Sequence, residues 1–296
     1  MTGQPALLAV VCLLVNAFFW GISWWPFKQL EALGLHPLWA TTIVYGLAFV
    51  LIALWGLTRG IAWRAWRLHP GLWALVVASG LTNVGFNWAV TVGDVVRVVL
   101  LFYLMPAWSV AVAWLVLGER PKRAALLRLL LALIGLFIVL KKPDTPWPVP
   151  ESLADGLALL GGLSFAVTNV LLLKLRAAPE SARMLAMFGG GTLMASLTAV
   201  LGLATGVVHT GAAPSLAWVP LLGILTLAFL LGNLALQYGA ARLAAHTTAL
   251  VMLSEVVFAS ISSVILGAAH WDARTGIGGA LILLAALLSA LPDKRD

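Results

Sequence analysis

Charge is what this sequence has least of. Only 10% of its 296 residues are Asp, Glu, Lys or Arg, against about a quarter in a soluble domain. That shortage excludes a solvated globular surface, and the 62% of hydrophobic residues excludes intrinsic disorder. A lone cysteine, Cys12, excludes an internal disulfide. There is no HExxH, no phosphate-cradling glycine loop and no Cys/His ligand cluster. No metal and no cofactor is therefore implied. A membrane-embedded enzyme, which would gather several acidic or histidine residues at one depth, is the weaker alternative, and the chain is read as a non-enzyme.

What is present is a series of long apolar runs, at about 6–27, 38–57, 71–91, 95–117, 124–140, 153–173, 184–205, 216–240, 246–267 and 274–291. Each approaches the roughly 20 residues a helix needs to cross a bilayer. The fold class expected is an all-α polytopic membrane protein with ten transmembrane helices. Pro70, Pro121 and Pro214 stand near the starts of runs, where a missing N–H costs nothing. "SLAD", Ser152 to Asp155, reads as a capping box opening the sixth helix. The first run has no Lys or Arg before it and no small-x-small cleavage site after it, so it is expected to be retained.

A sequence pI near 10.1 would point to nucleic acid in a soluble protein, but the basic residues are distributed otherwise. With both termini cytoplasmic, the cytoplasmic side receives Arg59, Arg64, Arg67, Arg120, Lys122, Arg123, Arg128, Lys174, Arg176, Arg183, Arg242, Lys294 and Arg295. The other side receives Lys28, Arg97, Lys141, Lys142 and Arg274. Thirteen against five is the positive-inside bias. The expected location is a bacterial-type inner membrane. The bilayer is the partner and nucleic acid is not.

The chain is also written twice. "YLMPAWSVAVAWLVLG" (Tyr103 to Gly118) lies over "MLSEVVFASISSVILG" (Met252 to Gly267) at an offset of 149. "FFWGISWWPFK" (Phe18 to Lys28) lies over "SFAVTNVLLLK" (Ser164 to Lys174) at 146, and "NWAV" (Asn87 to Val90) over "QYGA" (Gln237 to Ala240) at 150. The halves, residues 1–145 and 146–296, then hold five helices each. Five is odd, so the second half enters the membrane inverted, an arrangement typical of secondary transporters whose substrate site lies between repeats.

"FFWG", "YLMPAWSVAVAWLVLGERP" (Tyr103 to Pro121) and "SFAVTNVLLLK" carry a resemblance over nearly the whole chain. The sequence resembles the drug/metabolite transporter superfamily in its EamA-type branch, and is most similar there to YddG-type exporters of aromatic and other amino acids. The resemblance implies export of amino acids or related small metabolites by alternating access through a cavity between the repeats, with protons as an optional coupling ion. The alternatives within the superfamily are a nucleotide-sugar or organophosphate antiporter, which the placement of the cations at the ends of the runs disfavours, and a multidrug exporter. The family's ninth helix carries a proline and ends in "GE"; here it reads "SEVV" and ends "LGAA".

Polar and aromatic residues inside the spans are the candidate substrate-binding set, because each must find a partner or a water-filled cavity. Asn83, Phe86 and Asn87 share one helix face, as do Asn233, Gln237 and Tyr238 in the other half. Two amide-plus-aromatic faces suit a zwitterion with an apolar side chain; bonding between neighbouring helices is the alternative. Ser164, Asn169 and Ser254 are further polar candidates, and Trp20, Trp24, Tyr103 and Trp108 are aromatic ones. Pro106 is the candidate hinge of the fourth helix. Glu255, the repeat counterpart of Pro106, is a proton site, a partner for a substrate ammonium, or a protonated carboxyl bonded across helices.

Overall fold

The computed structural model of the chain describes residues 4–58, 63–92, 95–118, 120–140, 150–206, 208, 215–268 and 273–290. Both termini and the basic residues Arg59, Lys141, Lys142, Lys294 and Arg295 lie outside the described residues, as do Pro214, Trp147 and Trp271. Every element described is a helix: α1 (Gln4–Ala32), α2 (Pro37–Thr58), α3 (Trp63–Leu68), α4 (Gly71–Val92), α5 (Val95–Phe102), α6 (Met105–Leu117) and α7 (Arg123–Leu140) come first. They are followed by α8 (Leu153–Lys174), α9 (Glu180–Ala204), α10 (Trp218–Ala240), α11 (Ala245–Met252), α12 (Ser254–Ile265) and α13 (Ala273–Ala290). Helices are what an apolar chain can form in lipid, since each satisfies its backbone polar groups internally.

The chain is a multi-pass membrane protein. Seven segments among the described residues are long and apolar enough to cross a bilayer, and Met105–Leu117 and Ala273–Ser289 are shorter apolar helices. Large apolar side chains face outward, Leu115 at 80% exposure and Leu127 at 67%, which only a lipid surround makes inexpensive. The expected runs match the helices to within a few residues. The fourth and ninth, however, are each two helices: α5 and α6 part at Tyr103–Leu104, and α11 and α12 part at Leu253.

Local chemistry marks several ends. The Asp155 amide donates to Ser152 Oγ at 3.2 Å and the Ser152 amide to Asp155 Oδ2 at 3.0 Å, so the capping box of α8 is formed. Gly118 closes α6 at φ +72° and Gly267 follows α12 at φ +69°, a left-handed conformation that a Cβ would penalise.

The packing pairs are α4 on α8 and α9, α1 on α10 and α12, α6 on α8, α2 on α9, and α7 on α13. Small residues let these backbones approach. A Cβ on Gly135 of α7 would stand 2.7 Å from the Gly278 carbonyl of α13, and one on Gly278 2.5 Å from the Gly135 carbonyl. At Gly190, in the "FGGGT" stretch of α9, a Cβ would run into the Val76 carbonyl of α4.

Candidate functional site

The two helix breaks meet at one cavity. Pro106 is the second residue of α6 and Glu255 the second residue of α12. Pro106 therefore stands in a first turn, where it leaves no hydrogen bond unmade. The interruption precedes it rather than being a kink in mid-helix. The second break has no proline; there Ser254 Oγ donates to the Val251 carbonyl at 2.7 Å, covering a carbonyl freed by the break. Tyr103, inside the first break, lies beside Glu255 in the wall of that cavity. The two interruptions thus face the same space.

Tyr103 and Glu255 both line a cleft with about 860 Å³ of empty space, part of it open to the outside. Glu255 is the single charged residue of the lining among the described residues, and α12's first turn suits it, because a helix N-terminus carries partial positive charge. One wall is aromatic: Phe86 and Phe102 meet edge to face at 4.8 Å, Phe102 meets Tyr103 at 5.6 Å, and Phe165 lies 6.3 Å from Phe102. Across the cavity Trp20 stacks on Phe229 at 4.6 Å, with Tyr45 5.4 Å from Phe188. Amides complete the lining. Asn83 donates to the Ser79 carbonyl at 2.9 Å, and Asn87 donates to Thr41 Oγ1 at 3.1 Å. Asn233 donates to Met187 Sδ at 3.4 Å. Asn16 donates to Met252 Sδ at 3.3 Å, and its Oδ1 has no partner.

Of the candidates named from sequence, Trp20, Asn83, Phe86, Asn87, Tyr103, Asn233 and Glu255 stand on this cavity. The rest do not line it. Gln237 is fully buried behind Asn233, donating to its Oδ1 at 2.7 Å. Tyr238 carries the Arg242 guanidinium 3.6 Å above its ring. Trp24 donates to Ser262 Oγ at 2.9 Å and so ties α1 to α12. Trp108 packs among Val112, Ala166 and Val170, and Ser164, Asn169 and Ser254 are buried elsewhere in the helix packing. Asn169 is fully buried with both amide atoms unpartnered, while its neighbour Thr168 reaches the cavity.

Sequence reasoning passed over Tyr45, Phe102, Phe165, Met187, Phe188 and Phe229, all of which line the cavity. Tyr45 had a signal, as the one aromatic hydroxyl in the second run. Among the described residues no three His, Cys, Asp or Glu side chains gather to hold a metal ion. Chemically the site offers aromatic faces, amide hydrogen bonds and one carboxylate. These are tools for holding a small amphipathic molecule.

Exposure to the cavity has a direct check. Cysteines at Asn83, Phe86 and Asn87, made in a Cys12→Ala background, are expected to react with a small polar thiol reagent about tenfold faster or more than a cysteine at Trp108. Equal, slow rates at all four positions would mark the Asn83 face as packing.

Two relatives of the chain are named as transporters. Two uncharacterized transporters of Helicobacter pylori strains are each 24% identical over 221 residues, covering 73% of this chain and 72% of theirs. The protein RarD of Streptomyces exfoliatus is 28% identical over 190 residues, covering 62% of this chain and 53% of its own length. A protein of known crystal structure superposes with a TM-score of 0.75 at 18% identity, covering 98% of each chain; that likeness is one of fold. Over residues 7–141, which take in most of α1 and all of α2 to α7, the chain matches the EamA-like transporter family.

Proposed function

We propose that the chain is a secondary transporter of the drug/metabolite transporter superfamily that exports amino acids, aromatic and other neutral ones, by alternating access. The observation that carries this is the cavity at the meeting of two broken helices, with aromatic and amide walls and Tyr103 and Glu255 together in its lining. An amino acid presents an ammonium, a carboxylate and a side chain; Glu255 suits the first and the aromatic walls suit the last. The resemblance to YddG-type exporters supports the same cargo. A nucleotide sugar or other organophosphate needs cations in the cavity, and the lining has none among the described residues.

The transporter works as ten crossings in two inverted five-helix repeats, residues 1–145 and 146–296, in a bacterial-type inner membrane with both termini cytoplasmic. Reciprocal packing supports the repeat. α4 packs on α8 as α10 packs on α1, and α6 on α8 as α12 on α1, while α2 with α9 and α7 with α13 pair counterpart to counterpart. Gly118 and Gly267, 149 residues apart, share the same left-handed conformation. Reporter fusions are expected to score both ends cytoplasmic; a periplasmic score at either end removes the inverted arrangement.

Counterflow in proteoliposomes, with labelled amino acids beside labelled phosphate sugars, tests the cargo. Saturable exchange of neutral amino acids is expected. Exchange of phosphate sugars without amino acid flux would reassign the chain to the antiporters.

A further inference from the structure

Outside the cavity, one charged side chain among the described residues is buried without a partner for two of its nitrogens. Arg183, on the first turn of α9, is 5% exposed, and its Nε and Nη1 are both buried without an acceptor. A guanidinium removed from water is costly unless acceptors replace the lost hydration. The charges acting on it are the carboxylate of exposed Glu180 and the Arg242 guanidinium at the end of α10. Arg242 offers no acceptor and is itself engaged, donating from Nη1 to the Tyr238 carbonyl at 3.0 Å and lying over the Tyr238 ring.

This position adjoins the cavity. Arg183 lies one turn before Met187 on the same face of α9, and Met187 lines the cavity with Asn233 bonded to its sulfur. Gln237, one turn along α10 towards Arg242, donates to Asn233 Oδ1. The seam between α9 and α10 therefore runs from the cavity wall to the two arginines. Lys174 and Arg176, exposed in and beside the link from α8 to α9, add positive charge at the same end. Within the cavity itself nothing cationic lines the wall among the described residues. An anionic group on a small molecule is drawn to the seam end and not to the centre.

We propose that Arg183, with Arg242 beside it, forms a carboxylate-docking site at the end of the α9–α10 seam, which takes the carboxylate of a cargo molecule next to the cavity. The inference rests on the amino acid reading given above. The two contacts follow in sequence: Arg183 meets the carboxylate before the molecule enters the cavity, where Glu255 takes the ammonium.

Arginine modification by phenylglyoxal, read at Arg183 by peptide mass spectrometry on the full chain in liposomes, tests it without a variant that has to fold. The probes are L-phenylalanine, phenylacetate, L-phenylalaninamide and inorganic phosphate. At saturating concentration, L-phenylalanine and phenylacetate are expected to slow the modification about fivefold or more by mass action, and the amide to leave it unchanged. Equal protection by the amide overturns the proposal, as does an Arg183 that is never modified in any condition. Protection by phosphate alone overturns it in favour of a phosphate site. Amino acid flux without carboxylate protection of Arg183 removes this site and leaves the transporter reading standing. Protection without amino acid flux does the reverse.

Discussion

Glu255→Gln is expected to weaken handling of a zwitterionic cargo by about tenfold to a hundredfold in KM, the equivalent of losing a hydrogen bond to a charged group worth roughly 1.5–3 kcal/mol. Glutamine keeps the shape of the side chain and an oxygen beside the Tyr103 hydroxyl, and the Glu255 and Ala259 backbone against Gly21 is untouched. Only the charge on the cavity wall is removed. Tyr103→Phe leaves the carboxylate in place and removes one neutral donor, and its effect is expected to be the smaller, about fivefold. Gradient-driven flux and exchange measured side by side in proteoliposomes read the result. Loss in both modes is expected of a residue that holds the ammonium. Loss of driven flux with exchange intact makes Glu255 a proton carrier instead, and normal rates in both modes end its role in the cavity.

Gly162→Ala is expected to destabilise the folded chain by about 1–3 kcal/mol, the usual cost of forcing atoms into a filled space. A Cβ there would stand 2.5 Å from the Phe102 carbonyl, at the break between α5 and α6. Backbone cannot rotate away as a flexible side chain could. The same helix supplies the control. Gly156, also on α8, has nothing within 4 Å of its would-be Cβ, so Gly156→Ala is expected to be neutral or to stabilise by up to about 1 kcal/mol through helix propensity. Thermal unfolding in detergent, followed by size-exclusion recovery, separates the two. Equal midpoints for both variants would show that α8 has slack at Phe102.

Most of the fold was legible because a membrane span is announced by length and apolarity alone. α2, α4, α7 and α8 begin and end within a residue or two of the apolar runs. α9 begins four residues before the run read at 184–205, since Glu180 and Arg183 disguise its first turn as a loop. The breaks were half legible. Pro106 marked the first; nothing marked the second, where Leu253 interrupts an apolar run with no proline or glycine. The site divided along similar lines. An amide in a membrane helix is rare enough to stand out, and Asn83, Asn87 and Asn233 reach the cavity. Aromatic residues carry no such mark, because a phenyl ring serves equally well against lipid. Phe188 and Phe229 were therefore invisible, while Trp108 was read as a wall and is packing. Helical spacing alone also could not say where a face ends: Gln237 shares the face of Asn233 and is sealed behind it.

The two helix breaks have an electrical consequence for the empty chamber. α6 and α12 both start at the cavity, and neither start carries a side-chain cap. Each start contributes the equivalent of roughly half a positive elementary charge, but α5 and α11 end at the same breaks and contribute roughly half a negative charge each. The four ends cancel, and Glu255 alone sets the sign of the chamber. An anionic passenger finds no positive end left over to offset its burial in a low-dielectric interior. Discrimination against glutamate-like passengers then follows from the two breaks themselves.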